Sequence, residues 1–113
     1  MPEDVYVPSR GGLSYTRWLS KPLAVLIAIR ILSARNGGPV YLPDIASAVG
    51  VGSSHLTKIL PVLLDRKYVY RVEISGRYKY RYKYGLTEAG KKIADEAIAD
   101  MKKLARDAEE LGL

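Results

Sequence analysis

Residues 77–84 read Arg77, Tyr78, Lys79, Tyr80, Arg81, Tyr82, Lys83, Tyr84, an unbroken alternation of cation and ring. Successive side chains of an extended strand point to opposite faces, so the cations line one face and the tyrosines the other. A helix, with 3.6 residues per turn, would scatter both sets around its axis. The segment is expected as a strand with its ring face on the protein body and its cationic face toward a polyanion.

The distribution of charge agrees. The chain of 113 residues has a net charge of +6. Residues 53–84 carry eight Lys or Arg against only Asp65 and Glu73, whereas residues 1–52 net +2 and residues 85–113 net −2. A basic patch beside an acidic tail indicates a nucleic-acid face and a separate solvated or assembly face. The length suits one domain with one core.

Other chemistry is narrowed by what is missing. With no cysteine, disulfides, thiolate metal sites and a Cys nucleophile are excluded. There is one His, no Gly-rich phosphate loop and no acid pair beside a nucleophile, so neither an enzyme nor a metal or other cofactor is expected. Gln is absent, Asn36 is the lone Asn, and charges are abundant, a composition that tends toward thermophiles. The apolar run of residues 23–29 is too short to span a bilayer, and the N-terminus lacks a basic region followed by an apolar stretch. The expectation is a cytoplasmic, nucleoid-associated protein with no membrane partner.

Three parts are expected: an arm over residues 1–19, a compact unit over 20–86 and a helix over 87–113. Pro2, Pro8, Gly11 and Gly12 break the arm. Its Arg10 and Arg17 suit a minor-groove contact, and the same residues suit a disordered tail or a segment exchanged between subunits. Ser20 is the expected N-cap of a helix whose residues 23–35 are apolar on nearly every side, which makes it central; residues 36–39, Asn-Gly-Gly-Pro, stop it. After a short extended piece over 40–42, Pro43 and Asp44 open a second helix with Ile45, Ala46 and Val49 on one side. Gly50, Val51 and Gly52 form a tight turn, and Ser53 or Ser54 caps a third helix with Leu56, Ile59, Leu60, Leu63 and Leu64 at helical spacing. Pro61 is expected to bend that helix.

Residues 68–74 are rich in strand formers, and Ser75 with Gly76 signals a hairpin turn. A loop of odd length, residues 74–76, pairs like with like: Val72 with Tyr78, Tyr70 with Tyr80 and Glu73 with Arg77. Thr87 is the expected N-cap of a last helix reaching about Leu111. Along it Ala94, Ala97, Met101, Leu104, Ala108 and Leu111 recur at alternating spacings of three and four, widened by Ile93 and Ile98. This small-residue seam suits close packing on a second copy, or on the helix's own domain.

The order is helix, short strand, helix, tight turn, helix, two-stranded ribbon, long helix. Over residues 22–90 it resembles the winged helix-turn-helix proteins. Residues 42–51, residues 55–69 and the returning phrase Tyr84, Gly85, Leu86, Thr87, Glu88, Ala89, Gly90 carry the likeness. The last phrase resembles the close of the wing in MarR-like and PadR-like regulators. The stretch after Gly37, Gly38, Pro39 and Val40 is similar to repressors that sense iron–sulfur clusters, whose cysteines this chain lacks. The resemblance implies an α+β, mainly α fold: a winged helix-turn-helix with a two-stranded wing and a long C-terminal dimerisation helix.

A helix about 10–12 Å across fits the major groove of duplex DNA. Ser53, Ser54, His55, Thr57 and Lys58 occupy the leading turns of the third helix, while Arg77, Lys79 and Arg81, with Arg71 and Lys83, supply phosphate contacts from one face of the wing. The expected function is a homodimeric regulator bound to double-stranded DNA, joined through Ala94, Ala97, Ile98, Met101, Leu104, Ala108 and Leu111. Two alternatives stand beside it. An archaeal-type architectural protein would coat duplexes with little sequence preference, and a winged helix could serve as a protein-docking module with the tyrosines as anchor. Those tyrosines otherwise serve as a packing face or as a stacking platform for single-stranded bases. The residues name no small-molecule effector.

Overall fold

The computed structural model describes residues 19–74 and 82–113. Helix α1, Lys21–Asn36, starts where Ser20 Oγ accepts the Leu23 amide at 3.4 Å, and ends at Gly37. Ala24, Val25, Leu26, Ile27, Ala28 and Ile29 are all buried. Six consecutive buried residues cover every side of a helix, so α1 is the post around which the other elements gather.

Strand β1, Val40–Tyr41, leads into α2, Leu42–Val49, one residue earlier than Pro43 signals. Helix α3, Ser53–Asp65, follows the turn. Its N-cap is Gly52, not Ser53 or Ser54, and no side chain caps it. The helix runs uninterrupted with Pro61 inside it. Strand β2, Val69–Glu73, strand β3, Tyr82–Leu86, and helix α4, Glu88–Glu110, complete the chain. Thr87 caps α4, accepting the Gly90 amide at 3.1 Å.

The sheet has three antiparallel strands in the order β1-β3-β2, so the expected two-stranded ribbon gains a third strand from the Val40 segment. The hairpin register also differs from expectation. Val69 pairs with Leu86, Tyr70 with Gly85, Arg71 with Tyr84, Val72 with Lys83 and Glu73 with Tyr82. Eight residues, 74–81, separate the last pair, an even number in place of the odd loop. Burial explains the change of parity: Val40, Val69 and Tyr84 all enter the core, and this requires Val69 of β2 to share its face with the even-numbered residues of β3. Tyr70 and Val72 are left outward, 41 and 44 % exposed. Strand β3 also continues through Gly85 and Leu86, beyond the expected end.

The core joins α1 to Val40 of β1, Ile45 and Val49 of α2, Leu56, Leu60 and Leu63 of α3, Val69 and Tyr84 of the hairpin, and Ala94 of α4. Arg30 Nε and Asp95 Oδ1, 2.7 Å apart, tie α1 to α4 near the surface.

Candidate nucleic-acid interface

The turn between α2 and α3 is set by Gly50, whose φ of 85° lies in the left-handed region that side chains with a Cβ adopt only at a cost. Its amide and that of Val51 both reach the Ala46 carbonyl, at 2.8 and 3.2 Å. Three residues therefore suffice to end one helix and start the next. In α3 the buried Leu56, Leu60 and Leu63 turn the opposite face outward, and Ser53, Ser54, His55, Thr57 and Lys58 are all exposed. The structure thus brings the five expected residues of the leading turns onto one solvent face.

Two details change what this face offers. Because Gly52 supplies no capping side chain, the first amides of α3 keep their partial positive charge directed off the helix end, toward an approaching phosphate. Thr57 Oγ1 donates to the Ser54 carbonyl at 2.7 Å, so its hydroxyl meets a ligand as an acceptor. Neither feature has a signature in residue type alone.

On the hairpin, the observed register separates two cations expected on one face. Arg71 lies in the row of Tyr84 and Val40, whereas Lys83 lies in the outward row with Val72 and Tyr41. Each rests on a ring: the Arg71 guanidinium carbon is 4.2 Å from the Tyr82 centroid, and Lys83 Nζ is 4.8 Å from that of Tyr41. Such contacts are worth about 0.5–1 kcal/mol at exposed sites and hold the heads in place without neutralising them. Burial pushes the Tyr84 hydroxyl above its ordinary pKa; the nearby Arg71 charge opposes this and Tyr82 adds to it. Tyr84 is buried and Tyr68 and Tyr82 pack against the core, while Tyr70 does not. Arg77, Lys79 and Arg81, like Tyr78 and Tyr80 and the arm's Arg10 and Arg17, lie outside the described residues.

The exit of α3 is locked to the start of α4. Lys67 adopts φ 62°, the Tyr68 amide bonds the Leu63 carbonyl and the Lys67 amide bonds that of Leu64, each at 3.0 Å. This double closure is a Schellman motif with Lys in the position that usually takes Gly. Thr87 Oγ1 then donates to the Lys67 carbonyl at 2.6 Å, and the Thr87 amide donates to that of Tyr68 at 3.1 Å. At Gly90 an added Cβ would run into the Tyr68 carbonyl. The phrase from Leu86 to Gly90 is thus a joint: Thr87 caps one helix while holding the end of another, and Gly90 lets their backbones touch.

No family model matches the chain, nor does any curated protein. Solved structures do. MepR, a transcription regulator of the Staphylococcus aureus multidrug efflux pump MepA, superposes with a TM-score of 0.62 at 20 % identity over 81 % of this chain and 64 % of its own. A zinc-responsive MarR family member, ZitR from Lactococcus lactis, gives 0.67 at 22 % over 82 and 60 %. The fold is the MarR-like winged helix-turn-helix. AF1382 from Archaeoglobus fulgidus shares it, with a TM-score of 0.64 at 27 % identity over 79 % of this chain and 93 % of that one. The chain therefore spans under two thirds of the MepR and ZitR structures but most of AF1382.

Within this MarR-like fold, α4 divides in two. Ala94 is fully buried in its own domain, and Ala97 and Ile98 pack partly buried against the same core. At Ala94 the seam meets its own domain's core, the second of the two packings the sequence allowed for it. Beyond it Met101, Leu104 and Leu111 are 38, 70 and 76 % exposed, with Ala108 half-buried among them. Among the described residues no group of three or more His, Cys, Asp or Glu is placed to hold a metal ion, and no helix is long and apolar enough to cross a membrane.

Proposed function

We propose that the protein is a transcriptional regulator that binds double-stranded DNA as a homodimer, with α3 in the major groove and the basic wing on the backbone. The carrying observation is the exposed polar leading face of α3, packed from behind by Leu56, Leu60 and Leu63. Its uncapped amides, Lys58 and the adjacent basic hairpin add the phosphate term. The likeness to MarR-like regulators supports the same reading. Dimerisation falls to the outer half of α4, where Met101, Leu104 and Leu111 are exposed in line.

One observation favours a second reading, an architectural role with little sequence preference. The α3 face has no Arg, Asn or Gln to read a base edge in bidentate fashion, only Ser, Thr, His and Lys. Selection of bound fragments from a random duplex pool, followed by titration of the selected and a scrambled duplex at one salt concentration, decides between them. A regulator enriches a palindrome with half-sites about one turn apart and prefers it strongly. Equal affinity for both duplexes assigns the architectural role, and no retention of either removes DNA from the reading.

A further inference from the structure

Strand β2 is an edge of the sheet, because the order β1-β3-β2 gives it one neighbour among the described residues. The Thr87 amide bonds the Tyr68 carbonyl at 3.1 Å, which makes these two residues a hydrogen-bonded pair continuing the register of β2 on β3. Such pairs alternate with open ones along an antiparallel ladder, so Tyr70 and Val72 bond β3 while the amides and carbonyls of Arg71 and Glu73 point off the free edge. Both residues are exposed, and among the described residues neither side chain has an ion pair or hydrogen bond. Tyr70 and Val72, 41 and 44 % exposed, lie on one face beside this edge with Ile74 next in the alternation, and Arg71 and Glu73 lie on the other.

An exposed strand edge is a template for another strand, and this one is complementary to itself in a single register. We propose that β2 pairs antiparallel with β2 of a second copy about a two-fold axis through Val72. Arg71 then stands opposite Glu73 of the second copy and Glu73 opposite its Arg71, so each charge meets its opposite and each open amide meets an open carbonyl. On the other face Val72 meets Val72 and Tyr70 meets Ile74. The neighbouring registers fail. An axis through Arg71 sets two guanidinium groups against each other, one through Tyr70 carries Glu73 past the start of the partner strand, and one between residues opposes an open residue to one already bonded to β3. The Arg71 head is already held 4.2 Å from the Tyr82 centroid, which limits the freedom it loses on pairing. With the α4 dimer proposed above, a second two-fold contact joins dimer to dimer, the arrangement that coating a duplex requires. That consequence rests on the α4 reading; the strand pairing does not.

The chain has no cysteine, so one introduced thiol reports on one contact. The axis brings the two Val72 positions together as a non-hydrogen-bonded pair, about 4.5 Å between Cα atoms and within reach of a disulfide, whereas the two Tyr70 positions stand about 13 Å apart along the strands. Under mild oxidation without DNA, Val72→Cys is expected to form a covalent dimer and Tyr70→Cys to stay monomeric. Adding either Arg71→Glu or Glu73→Arg to Val72→Cys is expected to remove the dimer, and mixing the two doubly substituted chains to restore it, which unfolded chains could not do. Val72→Cys that stays monomeric, Tyr70→Cys that cross-links as readily, or dimers indifferent to the charge reversals overturn the proposal. Cross-linking at Val72→Cys that vanishes when Leu104→Glu is added places the contact inside the α4 dimer and overturns it as a separate surface. None of these readouts involves DNA, so they stand or fall apart from duplex binding.

Discussion

Lys67 shows how much one backbone angle contributes. An L-residue at φ 62° sits in a conformation that costs about 1–2 kcal/mol relative to ordinary helix geometry, and Gly occupies it freely. Lys67→Gly is expected to raise stability by about 1 kcal/mol, read as a shift of the urea midpoint at unchanged m-value. Gly50 was legible at the equivalent place in α2 because glycine announces such a turn; a lysine there does not, since the two amide bonds to Leu63 and Leu64 decide it. Tyr84 gives a second residue-scale test. Its pKa is raised in the folded chain, so the folded state holds that proton longer than the unfolded one. Its contribution is fully present below the unfolded value of about 10 and is lost as pH rises from there through the folded value. Tyr84→Phe is expected to lower the slope with which the melting temperature falls above that pH, compared directly with wild type.

Between elements, the joint of α3 and α4 is where the fold has least tolerance. Gly90→Val forces a side chain against the Tyr68 backbone, which cannot swing aside as a flexible side chain would. A loss of about 2–3 kcal/mol is expected in denaturant unfolding. Thr87→Ala removes an N-cap and the bond to the Lys67 carbonyl together, so a cost of about 1–2 kcal/mol is expected by the same measurement. The outer half of α4 behaves differently, because Leu104 contributes little to its own domain at 70 % exposure. Leu104→Glu is expected to leave monomer unfolding nearly unchanged while sedimentation equilibrium shows dissociation toward monomer. The helices were legible from their spacing, and the caps Ser20 and Thr87 from residue type. The hairpin register was not, because Ser75 and Gly76 suggest a local turn, whereas the shared burial of Val40, Val69 and Tyr84 sets the parity over a longer range.

If the molecule as a whole binds duplex DNA as proposed, the number of cations that reach phosphate sets the salt response. If about four per subunit do so in a dimer, the logarithmic salt slope of duplex affinity is about −7, and for a monomer roughly half that. Filter-binding titrations at several salt concentrations measure it directly. Lys58→Ala is expected to flatten the dimer slope by about 2, because each subunit then neutralises one phosphate fewer, with affinity falling alike on selected and scrambled duplexes. A slope unchanged by the substitution would remove α3 from the phosphate contacts and leave the wing to carry them.

The amino-acid order by itself determined which segments are helices, that α1 must be central, that α3 turns a short polar face outward, and that the basic excess lies within residues 53–84. Each of these follows from local periodicity or from the intrinsic preferences of Ser, Thr, Gly and apolar residues. Tertiary structure decided which sides of the hairpin Arg71 and Lys83 occupy, that Val40 adds a third strand, that Ala94 belongs to its own core and that Thr87 bridges two helices. Those outcomes depend on partners distant in sequence competing for one limited core, and local pattern carries no information about which partner prevails.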